Sequence, residues 1–130
     1  MLDEDNLSDL ELFLTEQVQV NGKAFFFEMK SGEGFTLLHL CTFKNKMRPF
    51  NLVARIANEL LKSYTSKVER VSVLKKWVDA QTFRDKFSAL HYASFRGNVE
   101  MAKILVSLGA SVNLKNRHGL NVLHVAAQGD

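Results

Sequence analysis

Three short segments of this 130-residue chain are versions of one another. They are GFTLLHLCT from Gly34, KFSALHYAS from Lys86 and GLNVLHVAA from Gly119, each centred on a Leu-His pair. His91 and His124 are 33 residues apart; His39 and His91 are 52 apart, one such interval with 19 residues added. A period of this length constrains the fold more than composition does. One such unit cannot bury its own apolar face, so units must stack and share a core.

The block between the last two centres shows what a unit contains. After SALHYASF comes a polar break, Arg96-Gly97-Asn98, and then VEMAKILVSL. There Val99, Ala102, Ile104, Leu105 and Leu108 recur at helical spacing. Gly109-Ala110 is a helix stop, and SVNLKNRHG is a polar connector ending in Gly119, where a turn can take positive φ. Helix, turn, helix, glycine stop and extended connector make one stackable unit.

These residues resemble the ankyrin repeat, whose motif is T-P-L-H-x-A, then a Gly turn, a second helix and a G-A-x-x-N connector. Residues 86–118 match a whole repeat, through Ser88 to Ala93, Gly97-Asn98, Glu100 and Gly109-Ala110-Ser111-Val112-Asn113. Residues 34–45 and 119–130 match only a first helix. Pro is missing from all three motifs, Lys86 stands where a turn Gly is usual, and Asn121 stands for Thr. The resemblance implies an all-α chain. It would be a helix-turn-helix repeat stack with short β-hairpin-like connectors, an N-terminal helical or hairpin cap and a helical insertion in the first repeat. One domain is expected over 1–130: a cap over 1–33, a first repeat over 34–85, a second over 86–118, and the start of a truncated third over 119–130.

The long interval implies an insertion of about 21 residues between the two helices of the first repeat. KVERVSVLKKW (67–77) shares Val-Glu with NVEMAKILVSL at the same offset, which makes 67–77 the second repeat helix and 51–63 the insert. In the latter, Val53, Ile56, Ala57, Leu60, Leu61 and Tyr64 form an amphipathic pattern. The reverse assignment stays open. Upstream, Asp5 or Asn6 is expected to cap a helix over LSDLELFLTEQ, with Leu7, Leu10 and Leu14 on one face. Asn21-Gly22, between VQV and KAFFF, is a two-residue hairpin signal.

Charge is unevenly spread. Residues 1–33 hold two Lys against eight Asp and Glu, a net −6. Residues 44–76 hold nine Lys and Arg against Glu59 and Glu69, a net +7. The acidic start has no secretory or transit character, and no apolar run approaches the roughly 20 residues of a membrane span. The lone Cys41 excludes an internal disulfide framework. A cytoplasmic location is expected.

Several residues invite a chemical role. Three histidines at repeat spacing suggest a metal, but stacked helices lie about 8–10 Å apart, whereas zinc needs nitrogens within about 2 Å. His39, His91 and His124 are therefore expected to hydrogen-bond backbone at the start of each first helix, their structural role in the family. Cys41 occupies the slot of Ala93 and Ala126, which asks for a small buried side chain. No catalytic or phosphate-loop motif appears, so no enzyme activity, cofactor, metal or small-molecule substrate is expected. The basic stretch is read as the solvated face of two helices, with Phe43, Phe50, Tyr64 and Trp77 in the core. Its alternative is binding to nucleic acid or an anionic membrane. Phe25, Phe26 and Phe27 are expected to bury against the first repeat.

The concave face of a repeat stack is the expected partner surface. From the register it comprises Phe83, Arg84, Asp85 and Lys86 on one connector, and Lys115, Asn116, Arg117 and His118 on the next. Tyr92, Phe95 and Arg96 join from the first helix; for Tyr92 and Phe95 the alternative is packing between repeats. Tyr and Arg are enriched where proteins recognise proteins, so a scaffold binding a protein partner is the expected function. The last unit has no second helix to cover Leu120, Val122, Leu123, Val125 and Ala126, which raises the expectation that the polypeptide continues. HVAAQGD, with its preceding Leu, also resembles more weakly the ankyrin regions of membrane-bound DHHC-type palmitoyltransferases. The alternative function is therefore a regulatory segment of a larger membrane enzyme or channel, with no catalysis by these residues.

Overall fold

The computed structural model describes residues 7–129, which form eight α-helices and no strand. They are α1 (Leu7–Asn21), α2 (Lys23–Glu28), α3 (Leu37–Phe43), α4 (Met47–Leu61), α5 (Lys67–Val78), α6 (Ala89–Phe95), α7 (Val99–Ser107) and α8 (Val122–Gln128). The expected caps at Asp5 or Asn6 lie outside the described residues.

The three Leu-His segments become α3, α6 and α8, the first helices of three units, and these pack in series. Each starts in the same way. Thr36, Ser88 or Asn121 accepts a hydrogen bond from the backbone N–H of the histidine three residues on, and that histidine's ring accepts from the cap's own N–H. This is a capping box with His in the place usually held by Glu or Gln. Two of the three also end alike. A residue in left-handed conformation, Asn45 (φ 56°) after α3 and Gly97 (φ 68°) after α6, reverses the chain. The next N–H closes the turn, Lys46 onto the Cys41 carbonyl at 2.9 Å and Asn98 onto that of Ala93 at 3.0 Å.

That turn launches α4 in the first unit and α7 in the second. Pro49 fits α4's first turn, where its missing N–H costs nothing; Asn98 caps α7 through Met101 N–H. Yet it is α5 whose end lies beside the end of α7. The Asp79 carboxylate accepts from Ser111 N–H and Oγ, both at 2.8 Å, and Lys75 Nζ reaches the Gly109 carbonyl at 2.7 Å. α4 thus follows the first turn as α7 follows the second, while the end of α5 is bonded to the turn after α7.

The N-terminal segment departs from expectation. Asn21-Gly22 does not turn a hairpin: α1 runs through Asn21, and Gly22 at φ 89° links it to α2. Helix wins because both sides bury apolar side chains, Leu10 and Leu14 one turn apart on α1 and Phe26 and Phe27 on α2. Leu10, Leu14, Phe26 and Phe27 are all buried and join Phe50, Val53, Ala57, Leu61 and Trp77 in one core. Phe26 packs tilted and Phe27 edge-to-face on Trp77, with ring centroids 5.5 and 5.3 Å away. Full burial of a side chain like Phe26 stabilises by about 2–3 kcal/mol. Phe43, expected in this core, is instead 46% exposed.

Candidate functional site

Ahead of each first helix the chain makes a hairpin-like turn without strands. It is closed by Ser31 N–H onto Phe35 O, Thr82 N–H onto Phe87 O and Asn116 N–H onto Leu120 O, each at 2.9 Å. Each turn needs a left-handed residue, and Gly34, Lys86 and Gly119 supply it at φ 85°, 58° and 76°. Lys86 therefore takes the glycine conformation despite its Cβ.

The three turns are stitched side by side. Phe83 N–H donates to the Glu33 carbonyl at 3.0 Å, and Arg117 N–H to that of Asp85 at 2.9 Å. The Gln81 amide bridges the carbonyls of Lys86 and Lys115, both at 2.9 Å. Tips at equivalent positions are held in a row. Phe83, Arg84, Asp85, Lys86, Lys115, Arg117 and His118 are all exposed along it. Gln81 was not legible as a positioning residue; only its place between two connectors hints at the role.

Burial corrects two members of the expected set. Asn116 is 6% exposed, because its Oδ1 accepts from the N–H groups of His118 and Leu120 and so shapes the turn from within. Tyr92 is 9% exposed and sits beneath Phe35, Phe43 and Phe87, with ring centroids 6.1, 5.4 and 5.0 Å away. Burial, and then the charge of Asp85, push its hydroxyl up to about 12. It supports an aromatic floor rather than meeting a partner. Phe43 and Phe95 are 46% and 43% exposed at the surface beside it. Arg96 is also exposed; its guanidinium donates to the Phe43 carbonyl at 2.9 and 2.6 Å and lies 5.7 Å from that ring.

The basic stretch 44–76 is engaged differently. Arg55 pairs with Glu11 of α1 at 3.0 Å and Lys62 with Glu59 at 3.4 Å, while Lys75 pairs with Asp79 at 2.9 Å. Arg70 donates to the Tyr64 carbonyl. The acidic and basic segments meet where α1 crosses α4, so part of the charge asymmetry is satisfied internally. Among the described residues, Arg84, Lys86, Lys115 and Arg117 make no ion pair.

The histidines are used by the backbone. His39 Nδ1 accepts from Thr36 N–H at 3.0 Å, so its proton lies on Nε2, which donates to Phe87 O at 3.0 Å. His91 repeats this with Ser88 N–H at 3.1 Å and Leu120 O at 3.1 Å. Neither keeps a lone pair for a metal. His124 accepts from Asn121 N–H at 3.3 Å and is exposed. Burial pushes His39 down to about 4, against the raising effect of its carbonyl partners, and lowers His91 in the same way. Cys41 is fully buried, and that burial pushes its thiol up to about 12. No described helix is long and apolar enough to cross a membrane.

Known proteins share these features. A family model described as ankyrin repeats (3 copies) matches residues 54–130. The Notch-regulated ankyrin repeat-containing protein A of Danio rerio is 35% identical over 80 residues, 58% of this chain and 70% of that protein. The Notch-regulated ankyrin repeat-containing protein of Homo sapiens is 48% identical over 42 residues, 32% of this chain and 37% of that protein. A chain in the crystal structure of the yeast ribosomal protein Rps3 in complex with its chaperone Yar1 has the same fold. Its TM-score is 0.70 at 18% identity, over 97% of this chain and 85% of that one. With three capped Leu-His helices, stitched connectors and the family match over more than half its length, this chain belongs to the ankyrin-repeat family, whose stacked units are protein-interaction modules.

Proposed function

We propose that this chain is a non-enzymatic scaffold that binds a partner protein on the face built from its connector tips and the exposed ends of α3 and α6. One observation carries this most directly: the backbone-stitched row of tips presents Arg84, Lys86, Lys115 and Arg117 to solvent without a counter-ion among the described residues. The backbone of the tips is already ordered by these bonds, so binding costs little loop-ordering entropy, which favours recognition. The exposed rings of Phe43, Phe83 and Phe95 add the apolar area that contact cores use. The basic helices α4 and α5 serve this reading less well, since Arg55, Lys62, Arg70 and Lys75 are occupied within the fold.

The test is a pull-down comparing the chain with a triple variant, Arg84→Glu, Lys86→Glu and Arg117→Glu. Circular dichroism checks that both are folded. A specific protein captured by the first and lost by the second is the expected result. Unchanged capture would move the site off this face.

A further inference from the structure

The face carries a pattern that repeats with the units and specifies the chemistry of what it holds. Counted back from the N-cap residues Ser88 and Asn121, Arg84 and Arg117 both stand four residues ahead of their cap, on adjacent tips. On the far side, Lys44 and Arg96 are equivalent, each directly following the last residue of a first helix. Those last residues are Phe43 and Phe95, both exposed. Two rows of cations therefore flank an aromatic floor, and the rows advance one unit at a time.

We propose that this face takes an extended acidic protein segment whose carboxylates are spaced three residues apart around an apolar anchor side chain. The inference rests on the binding face proposed above and names its ligand class. The spacing follows from two lengths. Stacked helices lie about 8–10 Å apart, and an extended chain of the polyproline II type advances about 3.1 Å per residue with about three residues per turn, so every third side chain returns to the same side and meets the next unit's cation. The sign follows from the charges, because the two rows contain four cations; Arg96 keeps its charge and its remaining donors while two of its N–H groups bond the Phe43 carbonyl. Arg guanidinium also suits carboxylates, through its paired donors. A continuous acidic run fits worse. Glu33 and Asp85 sit exposed on the same tips and would repel carboxylates placed between the cations. The anchor is apolar because Phe43 and Phe95 leave ring surface open over the buried Tyr92, where an aromatic or leucine side chain would exclude water.

The experiment is a selection of random 12-residue peptides on the immobilised 130-residue chain. Selected peptides are then titrated by fluorescence polarisation against the wild-type chain and two variants. One is Arg84→Glu with Arg117→Glu, and the other is Phe95→Ser. All three substituted side chains are exposed, and thermal melts confirm that each variant is folded. The expected outcome is enrichment of Asp and Glu at three-residue spacing around Phe, Tyr, Trp or Leu. Binding should fall about tenfold or more in each variant and weaken with added salt. Neutral or basic peptides that are lost in Phe95→Ser but indifferent to the charge reversal would overturn the acidic ligand and leave the binding face standing. Peptides held equally by all three proteins, or no enrichment at all, would overturn the acidic ligand; the former would also remove the face.

Discussion

His39 and Phe87 are joined by a hydrogen bond of 3.0 Å from Nε2–H to the backbone carbonyl, across 48 residues of sequence. His91 and Leu120 repeat the relationship at 3.1 Å. In each pair the histidine belongs to one unit and the carbonyl lies just ahead of the next unit's N-cap. One side chain therefore caps its own helix and fastens the following connector. The connector tips can form a straight row because their roots are pinned in this way.

Replacing the pin should be costly because it serves two units. His39→Leu keeps the volume but strands the Thr36 N–H in a buried site and the Phe87 carbonyl in a half-buried one, at roughly 2–4 kcal/mol. His124→Leu, at an exposed position with only the cap bond, should cost under about 1 kcal/mol. Urea unfolding midpoints measure both. Equal losses would show that the carbonyl bond does not matter.

Stability should also depend on pH through the same groups. His39 is held down to about 4, against 6.5 when unfolded. Between those values the unfolded chain binds a proton that the folded chain refuses. The contribution of this group to stability is therefore full above about pH 6.5, falls with the pH, and is lost by about pH 4. For His39 alone the loss is about 3 kcal/mol, and the lowered His91 adds to it. The His39→Leu protein should show a shallower decline across that window, which separates this effect from carboxylate titration below it.

The repeat was legible because its parts are local: a cap residue, a histidine three places on, a turn residue and a glycine stop. Arg84, Asp85, Lys86, Arg117 and His118 were placed on the tips by counting from those marks, and they are exposed there. The failures are of another kind. Asn21-Gly22 reads as a hairpin within its own dipeptide, but a left-handed glycine ends a helix equally well, and Phe26 and Phe27 decide the matter by packing on Trp77. Asn116 looks like a surface residue until its side chain is seen to accept from two turn N–H groups. Tyr92 looks like a contact residue until three phenylalanines from two units close over it. The end of α5 lies beside the end of α7 because Asp79 and Lys75 meet the Gly109-Ser111 turn, a tertiary contact with no sequence mark.

Cys41 should behave as a packed methylene-sized group, not as a reactive thiol. It is fully buried, and its thiol is raised to about 12, so at pH 8 the thiolate that reagents attack is almost absent. Labelling with a thiol-specific reagent should be negligible in the folded protein and complete in denaturant. Rapid native labelling would mean that α3 opens readily from α4.

The last prediction concerns the one connector that lacks its glycine. Lys86 holds φ 58°, where its counterparts Gly34 and Gly119 hold 85° and 76°. A side chain in that region costs about 1–2 kcal/mol, whereas glycine adds only about 0.5–1 kcal/mol of unfolded-chain freedom. Lys86→Gly should therefore stabilise the fold by roughly 0.5 kcal/mol. The converse change, Gly34→Ala, meets two obstacles: the same strain, and a Cβ only 2.9 Å from the Phe83 backbone nitrogen. It should destabilise by about 2 kcal/mol or more. Thermal melting of the two variants beside the wild type decides both. If Lys86→Gly binds its partner less well while melting higher, the protein keeps a strained lysine on that tip because its charge is used.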